Sequence, residues 1–186
     1  MQAWKHFRTI THHKMLVMQG CFRVGLYWQG LTHDLSKYSP TEFWVGARYY
    51  QGNRSPNSME RRDLGYSTSW MHHKGRNRHH YEYWTDLNVE SGQYESVPMP
   101  RKYLVEMVMD RRAACMTYQG KAYTSASAWN YYARSTERRL MHPKLQRELE
   151  FLLIMLRDEG EEATFRYMKE SVLKNKPFPW EEITEE

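Results

Sequence analysis

Apolar residues recur along most of this chain at helical rather than strand spacing. In 9–28, His13 shares one face with Leu16, Val17, Gly20 and Val24, at offsets of three, four, seven and eleven. His12 falls on a polar flank with Gln19 and Arg23. The pattern predicts a helix that turns His13 inward. A second short helix is expected over 30–38, GLTHDLSKY. The string SPTE at 39–42 reads as a helix start: Ser39 as cap, Pro40 at the first helical position and Glu42 completing a capping box. That helix carries Phe43, Trp44, Ala47 and Tyr50.

The stretch QGNRSPNSMERRD at 51–63 is polar and rich in turn formers, and reads as a mobile surface loop. Residues 67–84 form one helix interrupted at Gly75, or a helix followed by a loop. A further loop is expected over 92–100. A helix over 100–118 presents Leu104, Met107, Val108, Cys115 and Tyr118, with Asp110 at the border of this face. Three more helices are predicted over 126–139, 143–157 and 161–175, the second ending near Gly160. Strand patterns are scarce, so the fold class is all-α: a helical bundle over 1–176 with an acidic tail over 177–186.

Composition narrows the class. At 186 residues the chain can build one sizeable core. Its aromatic content of 15% excludes a disordered polymer. Mean hydropathy is -0.87, and no apolar run approaches the roughly 20 residues needed to cross a bilayer. The start, MQAWKHFRTITHHK, has no apolar signal-peptide core. Cys21 and Cys115 are far apart in sequence and read as reduced, buried thiols of a cytoplasmic protein. A net charge of +5 favours anionic partners: a phosphorylated metabolite, or less favoured, nucleic acid.

The nine histidines change the picture most, because they cluster. His12-His13, His33-Asp34 and the segment HHKGRNRHH, from His72 to His80, are followed by Asp110. Neutral imidazole and carboxylate together suit a divalent transition metal acting as a Lewis acid. Each cluster also has a plainer reading. His13 fits a hydrogen-bonded core histidine, and Asp34 a helix cap beside surface Lys37. Asp110 has Arg111 and Arg112 next to it as ion-pair partners. The segment 72–80, with Tyr81, Tyr83 and Trp84, fits a basic loop that stacks nucleic-acid bases. A lone buried carboxylate is costly, however, and a metal removes that cost.

Together the clusters resemble the HD-domain superfamily of metal-dependent phosphohydrolases. In that superfamily one helix supplies a histidine, a second the His-Asp pair and a later helix the last aspartate. His13, His33, Asp34 and Asp110 follow this order, and LTHDLSK is similar to the superfamily's signature, with Lys37 at the lysine position. Ser36 stands where glycine is usual. Two-metal members add histidines in the interval where His72, His79 and His80 fall. The strings HDLSKYSPTEF, HHKGRNRHH and PMPRKYLVEMVMDR are also similar to an uncharacterised bacterial family of compact proteins.

The resemblance implies one or two divalent ions (Fe, Mn, Co, Zn or Ni) held by His13, His33, Asp34, His72, His79, His80 and Asp110. The expected reaction is phosphoester hydrolysis of a nucleotide or small phosphorylated metabolite. Asp34 and Lys37 would serve catalysis, and Lys37, Arg76 and Arg78 would bind the phosphate. Glu42 and Glu82 are weaker candidates for proton transfer. Two alternatives stay open: a di-iron oxygenase of the same superfamily, and a non-catalytic nucleotide- or nucleic-acid-binding module.

Overall fold

A computed structural model describes residues 2–136 and 140–181. The described chain is helical apart from one small hairpin, so the all-α reading holds at that level. None of its helices is long and apolar enough to cross a membrane. The first helix, α1 (Gln2–Val24), starts earlier than the apolar pattern shows, with a first turn that is largely exposed. Gly25, at φ 89°, ends it and α2 (Tyr27–Thr32) follows at once.

The core lies between α1, α6 (Arg101–Gln119) and α8 (Pro143–Glu170). Val17, Cys21 and Val24 from α1 meet Leu104, Val105, Val108 and Met109 of α6 and Leu149, Leu152, Leu153 and Leu156 of α8. At Gly20 the two helices approach so closely that an added Cβ would lie 2.7 Å from the Met109 sulfur. A side chain at this position would force the Met109 side chain to move. Cys21 and Cys115 are both buried and unpaired with each other, and burial pushes the Cys115 thiol up to about 11.

Gly160 (φ 80°, ψ −178°) breaks α8 where the sequence placed a helix end. Across α6 and α8, Arg112 makes a bidentate pair with Glu161 at 2.6 and 2.8 Å. This removes Arg112 as a partner for Asp110. The core also runs past 176: Phe178 is fully buried, and Glu181 accepts from Arg101 and Lys144. Residues 182–186 of the acidic tail lie outside the described residues. Residues 137–139 do so too, so of the helix expected over 126–139 the structure describes α7 (Ser127–Ala133) and the turn after it.

Three local expectations are corrected. The stretch read as a mobile loop contains α4 (Pro56–Leu64), started by Pro56 and stopped by Gly65 at φ 82°. It has few apolar residues because what it buries is Glu60. That carboxylate accepts from Ser67, from the Thr68 hydroxyl and amide, and from Ser69, and so fastens α4 to the start of α5 (Thr68–Lys74). The loop expected over 92–100 contributes β2 (Tyr94–Ser96), which pairs antiparallel with β1 (Thr85–Leu87). The capping box does not form either. Pro40 does begin α3 (Pro40–Arg48), but Ser39 makes no side-chain cap and Glu42 turns to His72 and His73.

Candidate metal centre

The His-Asp pair does not sit within a helix. α2 stops at Thr32, and Asp34 takes a left-handed conformation (φ 54°, ψ 26°) before a 3₁₀ turn over Leu35–Tyr38. Aspartate tolerates this region better than most residues, yet it carries strain, and strained residues gather at functional sites. The break brings two neighbours that would diverge by about 100° on a helix to a common point. Lys14, next to His13, holds the break in place. Its ammonium donates to the carbonyls of Leu31 (2.7 Å) and His33 (2.9 Å), the open end of α2.

Four side chains meet in the first half of the centre: His13 of α1, His33, Asp34 and Asp110 of α6. His13 Nε2 lies 2.9 Å from Asp110 Oδ1 and 3.8 Å from Asp34 Oδ2. His33 Nε2 lies 3.3 Å from Asp34 Oδ2 and 3.5 Å from Asp110 Oδ1. The second half shares Asp34 and adds His73, His79 and His80. Asp34 Oδ1 stands 3.3 Å from His73 Nε2 and 3.5 Å from His79 Nε2, and the Nε2 atoms of His73 and His80 are 2.9 Å apart. Asp34 thus faces the two halves with different oxygens.

The segment 72–80 makes this possible by turning back on itself. α5 ends at Gly75, and the His73 carbonyl accepts from the amides of Arg76 and Asn77. The Asn77 side chain donates to the same carbonyl and to Ser36, tying the turn to the His-Asp segment. His79 and His80 return opposite His73, with ring centroids of His79 and His80 4.1 Å apart.

His73 therefore stands where the sequence reading put His72. His72 lies outside the two groups; its Nδ1–H donates to Glu42 at 2.6 Å, and its side chain is part-exposed. Both His79 and His80 join the second half. His12 is exposed, as its flank position implied. Arg76 and Arg78 are exposed and do not turn to the cluster. Arg76 donates to the His72 carbonyl, and Arg78 donates to Tyr103 and lies over Tyr83. Lys37 does turn in, with Nζ 2.5 Å from Asp34 Oδ2.

Two further carboxylates belong to the centre: Glu42, which the sequence reading offered for proton transfer, and Glu106, which it missed. Glu42 accepts from His73 Nδ1 at 2.8 Å, and Glu106 accepts from His33 Nδ1 at 3.0 Å. An imidazole that donates from one nitrogen presents a lone pair at the other, which is how proteins orient metal-binding histidines. Glu106 had a signal: it is a lone carboxylate in the apolar run LVEMVM, one turn before Asp110.

The donors fit a metal on three counts. Among the buried polar atoms without a hydrogen bond are His13 Nε2, His33 Nε2, His79 Nε2 and both oxygens of Asp34, all facing the same space. Next, metal–ligand bonds of about 2.0–2.2 Å imply neighbouring donors roughly 2.8–3.6 Å apart in octahedral or tetrahedral geometry; the distances above fall in that range except His13 to Asp34. Finally, the carboxylates of Asp34, Glu42, Glu106 and Asp110 surround Lys37 and raise the imidazoles of His33 and His73 against their burial, a demand for positive charge that divalent cations would meet in place of those protons.

The electrostatics agree. Burial pushes the Asp34 carboxyl up, but His33, Lys37 and His73 outweigh it and hold it well below the carboxylate range. Burial pushes Asp110 up too, but the imidazoles of His13 and His33 beside its Oδ1 outweigh it and hold it well below the carboxylate range. Burial, then the nearby His79 and His73, lower His80 and keep it neutral, the form that ligates. Burial opposes the charge on Lys37, and Asp34 and Asp110 more than restore it, so the ammonium persists.

Comparison with curated proteins and with solved structures returns no match. A family model does match, over residues 2–155, and it spans every residue of this centre. The chain belongs to the family of unknown function DUF5662.

Proposed function

We propose that this protein is an HD-type phosphohydrolase that holds two divalent transition ions around Asp34. Its substrate is a nucleotide or another small phosphorylated metabolite. The observation that carries this reading is the set of buried, hydrogen-bond-free nitrogens and oxygens that converge on Asp34. The ligand order also supports it: a histidine from α1, the His-Asp break, returning histidines, then an aspartate from α6.

When bound, such ions supply Lewis acidity toward a phosphoryl oxygen and toward a water nucleophile. The protein's own groups do the rest. Asp34 lies between the two halves, with Oδ2 toward His33 and Oδ1 toward His73 and His79. Glu42 and Glu106 hold protons on the outer nitrogens of His73, His33 and His79, which keeps the inner nitrogens available. Lys37 is the cation of the site that remains partly exposed, at 28%, and it directs charge toward an incoming phosphate. Arg76 and Arg78, which the sequence offered for the phosphate, turn to other partners and not to this cluster. A nucleic-acid module is disfavoured because Tyr81 and Trp84 pack against the core rather than forming a free stacking platform.

The test is metal content of untagged protein purified without chelator, beside Asp34→Ala, followed by phosphate release from a panel of nucleotides and phosphomonoesters. The reading expects about two equivalents of metal, their loss in the variant, and metal-dependent release of phosphate. A folded wild type that takes up none of manganese, iron, cobalt, nickel or zinc overturns it. Activity confined to iron-loaded protein and tied to oxygen consumption would replace hydrolysis with oxidative cleavage.

A further inference from the structure

Glu106 forms a third group of converging donors with His33 and His79, one ring from each half. It sits in the apolar face of α6, 5% exposed, and one of its oxygens, Oε1, meets two imidazoles. His33 Nδ1 donates at 3.0 Å and His79 Nδ1 lies at 3.2 Å. These rings serve different halves, His33 with His13 and Asp110, His79 with His73 and His80. They lie 4.5 Å apart with an interplanar angle of 35°. Burial would raise the Glu106 carboxyl, but the hydrogen bonds from His33 and His79 hold it ionised.

Glu42 provides the contrast. Its two oxygens take His72 and His73, and of these only His73 belongs to the centre, in the second half alone. Glu42 is thus local to one half. Glu106 spans both from outside, as Asp34 does from within.

We propose that Glu106 is a positioning residue that couples the two halves, so that one substitution outside both of them weakens both ions together. The inference rests on the two-ion reading above. Its physical content is a shared tautomer constraint. With Oε1 accepting from both rings, each holds its proton at Nδ1 and its lone pair at Nε2, toward Asp34. Without it, both rings lose orientation and basicity at once, and removal of such an outer acceptor typically costs about 10–100-fold in affinity.

The experiment is a titration of metal-free, full-length protein with cobalt, followed by absorption and by competition with a chromophoric chelator. Wild type, Glu106→Gln, Glu106→Asp and Glu42→Gln are compared. Wild type is expected to fill two steps. Glu106→Gln should weaken both by a similar factor, roughly 10-fold, whereas Glu42→Gln should weaken one. Glu106→Asp keeps the charge but withdraws it by a methylene, so it remains informative where the amide variant fails to fold; it too should weaken both steps.

Nitrogen-detected NMR of the imidazoles gives a readout that a purely structural role would not move. His33 and His79 should both be protonated at Nδ1 in wild type and both lose that uniformity in Glu106→Gln. Weakening of a single step in the Glu106 variants, or unchanged affinities with unchanged tautomers, overturns the coupling and leaves the metal reading intact. A folded wild type that binds no cobalt overturns both.

Discussion

Two buried carboxylates, Glu60 and Asp34, are almost equally hidden, at 1% and 2% exposure, and have opposite surroundings. Glu60 joins α4 to α5 and is saturated by hydroxyl and amide donors from Ser67, Thr68 and Ser69. Those donors drive its pKa down to about 2 against its burial. Asp34 is inside a ring of imidazoles, and neither of its oxygens is in a hydrogen bond; Lys37 approaches one of them as an ion pair at 2.5 Å. Burial alone therefore does not distinguish a carboxylate satisfied by the protein from a candidate ligand. Saturation separates them: Glu60 has its hydrogen bonds within the protein, whereas both oxygens of Asp34 are left without one.

The comparison breaks most directly at Asp34. Asp34→Ala should cost both halves their ions, with affinity falling beyond the roughly 100-fold limit typical of outer acceptors, while helix content by circular dichroism is kept. Metal analysis checks it, and retention of full stoichiometry would put Asp34 in the same class as Glu60. His73→Ala comes next. It should remove about one equivalent, that of the second half, and leave the His13–Asp110 half filled. Uniform loss of both ions would mean that the halves are a single site.

Glu60→Ala should act on stability instead. It strands several donors, at a cost of about 2–3 kcal/mol, measurable by denaturant unfolding with metal stoichiometry unchanged. Because the folded carboxyl is depressed from 4.5 to about 2, its contribution is fully present above the unfolded value and lost as pH falls between those limits. Wild type should therefore lose more stability than Glu60→Ala over that interval. Equal acid sensitivity of the two proteins would remove Glu60 from the account.

How far the sequence reveals this arrangement depends on whether the buried face is apolar. His13 and Asp110 lie on apolar stripes of α1 and α6, so periodicity places both at the core border, and the structure brings them to 2.9 Å. The buried face of α5 is polar: Ser69 and His73, four residues apart, are both buried, and so is Asn77 in the turn after it. No hydrophobic pattern marks such a face, and His72 and His73 look alike without it. α4 is hidden for the same reason, although Pro56 at its start and Gly65 after its end are helix punctuation that the residues display openly. The capping-box reading of Glu42 failed by competition, since two imidazoles offer stronger partners than one backbone amide. The left-handed turn at Asp34 was illegible because nothing local demands it; it is imposed by the groups that converge there.

The smallest expected effect is also the sharpest test of the dipeptide. His72 and His73 share Glu42, each through its Nδ1 and a different oxygen, so both look like members of one network. They differ at the other nitrogen. His73 Nε2 stands 3.3 Å from Asp34 Oδ1 and 2.9 Å from His80 Nε2, whereas His72 is part-exposed and outside both ligand groups. His72→Ala should therefore leave metal stoichiometry unchanged and lower affinity in the second half by no more than about 2–3-fold, below the 10–100-fold range of an outer acceptor. The residual effect comes through Glu42, which loses one donor but keeps the bond to His73. Loss of a full equivalent in His72→Ala, with retention in His73→Ala, would exchange the two residues and require α5 to be rotated by about 100° about its axis. Such a rotation would carry Ser69 away from Glu60 as well, so the His72 and Glu60 measurements constrain the same helix from its two ends.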